Sequence, residues 1–486
     1  MSPPSRPNWR ILTALFLLAF IVRAAYSLSL PADVQLHDID ARGYHQLALN
    51  LLAGHGFSLD SQPPYRADAI RTPAYPLFVA AVYALTGPVP RHVALVQAAL
   101  DALTAMLLAL IVLRLTGKHW PAYLAAALYA LNPAALRFNN ELLTETMLAT
   151  VLTALVALLV LAPPTRHPLF ALGLLTALAL LIKPNLILLP VLVLPVLLLT
   201  RPRPPLPALA AYAFAIALLL TPWLIRNRLT FSEWLFSSAF DNNLHRISAV
   251  ATLVHVRGEA IAPWSPAWEA IHGGLVAQAE QRYGWGSPAQ TGRDLLTREQ
   301  QLATLARETL RQHPRAFLES HLLGFIRGWL PQEHRYWYEV ASGQPWDALN
   351  PVEGALGLAL DRAHTDGPLA GVAFFWQARF GSLPPLAVAL WLGWLLAYAI
   401  SAALILRAVW VWLPHRPVLV LFLLALIGYV TFLPGPISYI RFRLPVQPLL
   451  ILLVTLGLTH FPTNTATLTQ PQPPETATNL ASKTKN

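Results

Sequence analysis

Long apolar stretches separated by short polar turns dominate this chain. The first stretch follows Arg6 and Arg10, is interrupted by Arg23, and has no small-residue cleavage site after it. We therefore predict a retained transmembrane helix there and not a signal peptide. The same pattern predicts about ten transmembrane helices, which cover residues 11–30, 92–114, 120–137, 145–162, 168–183, 185–200, 206–224, 385–406, 417–434 and 444–459.

Two other segments have a different pattern. Residues 73–86 are apolar but too short to span, and they suit a helix in the membrane interface. Residues 225–384 are more polar and rich in tryptophan. Within them, residues 294–313 have the period of an amphipathic helix that ends at Pro314, and residues 316–330 suit a second interfacial helix. The Thr-, Pro- and Gln-rich tail after His460 is predicted to be disordered.

The basic residues in the turns indicate the orientation. If Arg6 and Arg10 are cytoplasmic, ten spans place every strongly basic turn and the C-terminal tail on their side. No carboxylate lies in those turns, and the acidic residue on that side is Glu475 in the tail. This positive-inside pattern predicts a multi-pass protein of the plasma (inner) membrane, with residues 31–90, 138–144, the Lys183 turn, 225–384 and 435–443 outside. The basic turns contain Arg114 with Lys118, Arg166, Arg201 with Arg203, and Arg407 with Arg416.

Composition supports a membrane protein and excludes other classes. Hydrophobic residues make up 55% of the chain and charged residues 12%, with a mean hydropathy of +0.49, which a soluble globular protein would not have. The chain has no cysteine, so disulfides and cysteine-ligated metals are excluded. The net charge of +10 comes from scattered arginines that form no basic stripe, so nucleic acid is not an expected partner.

Charged residues near the membrane are the candidates for function. Charges there are energetically costly and usually functional. Any single one, however, could be a side chain that snorkels to the membrane interface. Arg23 and Asp101 are expected to form a structural pair of this costly kind inside the membrane. The topology brings charged residues at five other positions to the outer face: Asp40, Arg71, Glu145, Lys183 and the pair Arg441 and Arg443.

Cations and carboxylates on one membrane face suit a phosphate-bearing lipid and a proton transfer. Arginine binds phosphate through two parallel hydrogen bonds, lysine adds a point charge, and a carboxylate beside them can act as general base. A divalent metal is a second possibility, with His37, His45 and His55 as ligands alongside Asp38 or Asp40, although their spacing matches no tight metal motif. Whether a metal binds stays open at this point.

These residues resemble the GT-C superfamily of integral-membrane glycosyltransferases, in particular its protein O-mannosyltransferase and lipid A aminoarabinose transferase branch (glycosyltransferase family 39-like). The similarity covers most of residues 10–460 and is weakest in 232–384. No single motif is specific, but five occur in the right order and on the right side. They are "DARGY" at 40–44, "RTPAYP" at 71–76, "LLTETML" at 142–148, "TPWLIRNRL" at 221–229 and "YIRFRLP" at 439–445.

The resemblance implies an all-α polytopic fold with an outer-face interfacial helix region and a small extracytoplasmic domain. It implies a catalytic membrane module at 1–224, a loop domain at 225–384, C-terminal helices at 385–460 and a cytoplasmic tail at 461–486. It also implies a polyprenyl-phosphate-linked sugar donor, with an acceptor that is a lipid, a protein or an envelope glycan. Asp40 would be the general base and Glu145 a second site carboxylate, while Tyr44, Arg71, Lys183, Arg441 and Arg443 would bind substrate.

One departure from the family concerns the first-loop motif. Many relatives have a second acidic residue directly after the aspartate, whereas Ala41 follows Asp40 here. Asp38 can substitute, so the division of work between Asp38 and Asp40 is open. Two other functions compete with the transferase. A transporter or flippase of lipid-linked saccharides would also need cations for phosphate, and a membrane scaffold would present residues 225–384 without explaining the first-loop cluster.

Overall fold

The computed structural model describes residues 7–31, 34–259, 261, 263–343, 359, 362, 363, 366–381 and 383–461. Every named element in these residues is helical, which confirms the all-α fold class. The predicted tail lies outside the described residues from 462 onward. The α-helices are Trp9–Ser29, Ile39–Leu52, Ala74–Thr86, Pro90–Thr116, His119–Ala130, Pro133–Phe138, Thr144–Leu161, Arg166–Ile182, Leu189–Leu199, Leu206–Phe231, Ala239–Asn243, Val250–Arg257, Pro266–Tyr283, Gly292–Gln312, Pro314–Trp329, Glu333–Ser342, Pro368–Phe380, Pro385–Trp412, Pro417–Phe432, Ile440–Arg443 and Gln447–Gly457.

Six helices in the described residues are long and apolar enough to cross a membrane, and each coincides with a predicted span. They are Trp9–Ser29, Pro90–Thr116, Thr144–Leu161, Leu206–Phe231, Pro385–Trp412 and the continuous run Ile440–Gly457. Three further predicted spans are shorter apolar helices, at Arg166–Ile182, Pro184–Leu199 and Pro417–Phe432. The count of ten spans therefore stays a prediction, as does the placement of Ala74–Thr86 in the interface.

The predicted span 120–137 is not one helix. It is broken after Ala130, and a short helix begins at Pro133 with Asn132 as its N-cap. The Asn132 side chain accepts a hydrogen bond from the Ala135 amide at 2.9 Å, which satisfies a backbone donor that the new helix leaves unpaired. The short helix Pro133–Phe138 then leads into the turn that precedes Glu145.

Small residues let the helices approach closely. At Gly173, an added Cβ would lie 2.3 Å from the Tyr212 carbonyl oxygen and 2.8 Å from the Ala215 Cβ. The helices Arg166–Ile182 and Leu206–Phe231 thus meet backbone to backbone, as is common where membrane helices pack through van der Waals contact. The buried hydrophobic core continues from these N-terminal helices into the C-terminal ones, where Leu423 and Leu453 belong to it.

The expected intramembrane pair is present. Arg23 and Asp101 are both buried and form a salt bridge, and the Tyr129 hydroxyl donates to the same carboxylate. The Arg23 guanidinium also donates to the Ala130 and Tyr129 carbonyl oxygens, at 2.8 and 3.1 Å. A buried charge is tolerated when it is paired and its remaining donors are satisfied, and Arg23 meets both conditions.

The segment between Phe231 and Pro385 is largely helical where it is described. The predicted amphipathic helix is Gly292–Gln312, and it begins with a capping box in which the side chains of Thr291 and Asp294 each accept from the other residue's backbone amide. Pro314 starts the next helix, Pro314–Trp329. Gly324 and Gly328 on that helix lie directly against the turn at 435–438, so the segment contacts the membrane helices immediately before Arg441.

Candidate active site

Arg441 lies at the centre of the site and contacts three carboxylates. Its Nη1 is 2.9 Å from Asp38 Oδ2, its Nη2 is 2.9 Å from Asp40 Oδ2, and its Nε is 3.2 Å from Glu145 Oε1. All of its donor nitrogens thus serve carboxylates that come from two distant parts of the chain. The guanidinium side chain is 7% exposed, so these pairs lie in a partly desolvated environment where they are stronger than at a surface.

Two more cations complete the cluster. Lys183 Nζ lies 3.1 Å from Glu145 Oε1, and Arg71 Nη2 lies 3.3 Å from Asp40 Oδ1. Helix ends favour this arrangement electrostatically. Asp40 and Glu145 are in the first turns of their helices, where the helix dipole stabilises negative charge, and Lys183 directly follows the end of Arg166–Ile182, where it stabilises positive charge.

The first-loop motif has a defined local structure. Asp38 is the N-cap of helix Ile39–Leu52, because its Oδ1 accepts a hydrogen bond from the Asp40 amide at 2.8 Å. Asp40, two residues later, has no such local bond and is paired with Arg71 and Arg441. Gly43 makes room for the Arg71 guanidinium, since a Cβ there would lie 2.7 Å from Arg71 Nη2. The glycine of "DARGY" therefore leaves room for this guanidinium to approach the helix.

Tyr44 and Tyr75 connect the motif to the other side of the site. The Arg71 guanidinium lies over the Tyr44 ring at 5.5 Å, and the Tyr44 and Tyr75 rings pack edge to face at 4.8 Å. The Tyr75 hydroxyl donates to Gln97 at 2.6 Å, and the Gln97 amide donates to the carbonyl oxygens of Asn139 and Glu141. This buried network fixes the turn that precedes Glu145.

Asp40 and Glu145 differ in access. The Asp40 side chain is 42% exposed and the Glu145 side chain 1%, so an incoming molecule can reach Asp40 but not Glu145. Desolvation acts to raise the pKa of the Asp40 carboxyl, but Arg441 and Arg71 outweigh it and hold that pKa below its usual range. Asp40 is thus ionised in this arrangement and available as a proton acceptor.

Arg443 does not contact this cluster. Its Nη2 lies 3.0 Å from Glu333 Oε1, and it also contacts the Tyr398 hydroxyl. The structure therefore brings Asp38, Asp40, Tyr44, Arg71, Glu145, Lys183 and Arg441 together and directs Arg443 elsewhere; the roles of all eight stay predictions. No motif in the sequence indicates Glu333, because it belongs to the segment where the resemblance is weakest.

Glu141 is a second carboxyl that the sequence analysis did not select. It is buried in the turn before Glu145 and forms an ion pair with Arg137. Burial raises the pKa of the Glu141 carboxyl, and Asp38 acts in the same direction while Arg137 and Arg441 oppose it. Its position four residues before Glu145, in a turn predicted to be external, was a signal that could have identified it.

The described residues contain no group of three or more His, Cys, Asp or Glu side chains that could hold a metal ion. Two of the three proposed histidine ligands have other side-chain contacts. His45 Nδ1 lies 2.8 Å from the Tyr83 hydroxyl, and the His55 ring stacks on Tyr65 at 3.9 Å. Asp38 and Asp40 are already paired with arginine, so these histidines and aspartates do not fit a set of metal ligands.

Comparison with known proteins gives one family match, to a segment that contains three residues of the site. Residues 70–225 match the family model described as dolichyl-phosphate-mannose-protein mannosyltransferase, and this segment contains Arg71, Glu145 and Lys183. The GT-C resemblance is confirmed. The match over residues 70–225 supports a membrane glycosyltransferase. Asp38, Asp40 and Arg441 lie outside the matched GT-C segment, and the structure places them in contact with it.

A search of curated proteins gives no match. Among solved structures, the crystal structure of ArnT from Cupriavidus metallidurans in the apo state is similar to this chain. It has a TM-score of 0.38 and 15% sequence identity, and the match covers 93% of this chain and 76% of that chain.

Proposed function

We propose that this protein transfers a sugar from a polyprenyl-phosphate-linked donor to an acceptor at the extracytoplasmic face of the plasma (inner) membrane. The observation that carries the proposal is Arg441 bound to Asp38, Asp40 and Glu145 at once, with Arg71 and Lys183 beside them. A phosphate-linked donor needs cations for its leaving group, and an acceptor needs a base next to it. The cluster supplies both at one point.

Donor binding uses the cations. The phosphodiester of the donor is an anion, and Arg441 presents a planar fork of donors that matches phosphate oxygens. Lys183 adds a point charge on the Glu145 side, and Arg71 adds a second guanidinium on the Asp40 side. These groups stabilise the extra negative charge that the phosphate gains as it leaves the sugar. Arg443 is not included, because it contacts Glu333.

Sugar transfer uses Asp40. The acceptor hydroxyl or amine attacks the anomeric carbon, a new bond forms there, and the bond from that carbon to the phosphate oxygen breaks. The proton of the acceptor goes to the Asp40 carboxylate, and polyprenyl phosphate departs with the electron pair of the broken bond. Asp40 is suited to this step because it is the accessible carboxylate of the cluster. The acceptor class stays open between lipid, protein and envelope glycan.

The test is release of polyprenyl phosphate from a radiolabelled lipid-linked sugar by purified protein in detergent, with cell-envelope lipids, proteins and glycans supplied together as acceptors. We expect time-dependent release with the wild-type protein, and a loss of at least about 100-fold with Arg441→Ala, since this change removes the central cation. Arg315→Ala is the matched control, because the Arg315 side chain is 90% exposed and pairs only with Glu319.

Two results would contradict the proposal. One is a folded, monodisperse wild-type protein that cleaves no lipid-linked sugar from a panel of donors. The other is movement of an intact lipid-linked saccharide across a liposome membrane by that same preparation without cleavage. The second result would favour the transporter over the transferase.

A further inference from the structure

Arg443 is held by a buried cluster on the side opposite the carboxylates. Its Nη2 lies 3.0 Å from Glu333 Oε1, and the Tyr398 hydroxyl donates to the same oxygen at 2.6 Å. The side chains of Arg443 and Glu333 are 5% and 2% exposed. A charge pair this well buried is costly to break, because the remaining partner would be left without its counter-charge. Arg443 is therefore fixed in place.

The residue before Glu333 holds the start of the same helical turn. The Gln332 side-chain oxygen accepts a hydrogen bond from the Ile440 amide at 3.4 Å, and its amide nitrogen donates to the Arg327 carbonyl oxygen at 3.2 Å. The second oxygen of Glu333 accepts from the Gln332 amide at 3.0 Å, which orders this pair. Gln332 and Glu333 thus contact the first and last residues of helix Ile440–Arg443.

Close packing extends this contact to the turn before the helix. A Cβ at Gly324 would lie 2.1 Å from the Gly435 carbonyl oxygen, and one at Gly328 would lie 2.4 Å from Ser438 Oγ. Arg327 donates to the carbonyl oxygens of Pro436 and Ser438 between them. The segment 435–443 is thus held along its length by residues 324–333. These residues belong to the segment 225–384, which is predicted to be external and is called the external segment below.

Helix geometry carries this restraint to the site. Successive residues of a helix are about 100° apart, so Arg441 and Arg443 point in nearly opposite directions from one short turn. Arg443 faces Glu333 and Tyr398, while Arg441 faces Asp38, Asp40 and Glu145. Because three hydrogen-bonded contacts of 2.9–3.2 Å meet at Arg441, a shift of about 1 Å in the turn would break them.

We propose that Glu333 is a positioning residue for Arg441: with Tyr398 it anchors Arg443, and so fixes the turn that presents Arg441 to the three carboxylates. This inference rests on the proposed function only for its assay. It assigns Arg443 to holding the turn and not to binding phosphate. It also gives the external segment a task in the site, since Glu333 comes from that segment.

The experiment is a double-mutant cycle on donor binding. The dissociation constant of polyprenyl phosphate is measured for the wild-type protein, Glu333→Ala, Arg441→Ala and the double variant, each purified in the same detergent. We expect Glu333→Ala to weaken binding about tenfold or more when Arg441 is present, and less than about twofold when Arg441 is absent. A residue that only supports folding would weaken both backgrounds equally.

Control variants separate positioning from loss of fold. Glu308→Ala removes an exposed ion pair with Arg282 in the same external segment and should leave binding unchanged. Tyr398→Phe keeps the ring and removes the hydroxyl that donates to Glu333, so it should show the same background dependence in milder form, even if Glu333→Ala does not fold.

The outcomes distinguish this inference from the proposed function. If the wild-type protein neither binds polyprenyl phosphate nor releases it from a donor, the proposed function fails. If the wild-type protein does both, and Glu333→Ala and Tyr398→Phe act equally with and without Arg441 or have no effect, only the positioning role fails.

Discussion

Asp38 and Asp40 lie two residues apart and have different surroundings. Asp38 caps its helix through the Asp40 amide and contacts one nitrogen of Arg441. Asp40 makes no capping bond, is the more exposed of the two, and lies between Arg71 and Arg441. The structure thus favours a structural task for Asp38 and a chemical one for Asp40, which is the division that the sequence motif left open.

Substitution by asparagine separates the two tasks. Asp40→Asn keeps the shape of the side chain but removes its charge and basicity, so transfer should fall by at least about 100-fold. Asp38→Asn should cost less, because asparagine is an equally good N-cap and only one contact to Arg441 is weakened. The measurement is the initial rate of sugar transfer at matched membrane expression.

The opposite pattern would overturn the assignment. If Asp40→Asn keeps more than about a tenth of the wild-type rate while Asp38→Asn loses it, Asp38 is the base. If both variants stay active, the proposed transferase has no base in the first loop.

At the scale of elements, close helix packing makes the stability of the protein sensitive to substitution of one glycine, Gly173. Gly173→Ala would place a methyl group 2.3 Å from the Tyr212 backbone oxygen, so the helix Leu206–Phe231 would have to move. Overpacking of this kind typically costs about 1–3 kcal/mol, and we expect a lower midpoint of thermal unfolding in detergent. Since the Tyr212 oxygen is backbone, no side-chain rotation relieves the contact.

Gly428→Ala is the matched control for this prediction. Gly428 also lies in an apolar helix, Pro417–Phe432, but an added Cβ there meets nothing within 4 Å. A Gly173→Ala protein as stable as the Gly428→Ala protein would show that the two helices do not pack as described.

Hydropathy predicted where the long helices lie but not where a predicted span is broken into two helices. The long spans could be predicted from runs of apolar residues, because only a long apolar helix is stable in the hydrocarbon core of a bilayer. The break after Ala130 was missed because its cause is local: the sequence Asn132-Pro133 supplies a cap and a helix start, a signal that an average over about 20 residues hides.

Part of the site could also be predicted from the sequence, and part could not. Alternation of spans is enough to bring Glu145, Lys183 and Arg441 to one end of the bundle, and the contacts confirm that they meet. Spacing could not show that Arg443 turns away to Glu333. That direction depends on how residues 324–333 pack against the turn at 435–438, which is a tertiary contact between segments far apart in the chain.

At the scale of the whole molecule, the orientation can be tested directly because the chain contains no cysteine. A single introduced cysteine is therefore a unique label. Ser287→Cys lies in the predicted external segment and Thr165→Cys in a predicted cytoplasmic turn, and both positions are exposed. In intact spheroplasts, a membrane-impermeant maleimide should label Ser287→Cys at once and Thr165→Cys only after permeabilisation.

The two variants control each other, since both replace a small polar side chain. Labelling of Thr165→Cys in sealed cells, with Ser287→Cys protected, would invert the topology and move the carboxylate cluster to the cytoplasmic side. A cytoplasmic cluster would contradict the proposed location of the reaction, while leaving the contacts around Arg441 as they are.

The triple pairing of Arg441 also determines how a donor can bind. The arginine is saturated by its own carboxylates, and together with Arg71 it holds the pKa of the Asp40 carboxyl below its usual range. In the proposed reaction, a phosphodiester must displace at least one carboxylate to reach the guanidinium. The bound phosphodiester adds negative charge beside Asp40, and this charge raises the pKa of the carboxyl and makes it a stronger base. We therefore expect deprotonation of the acceptor to be faster when a donor is bound.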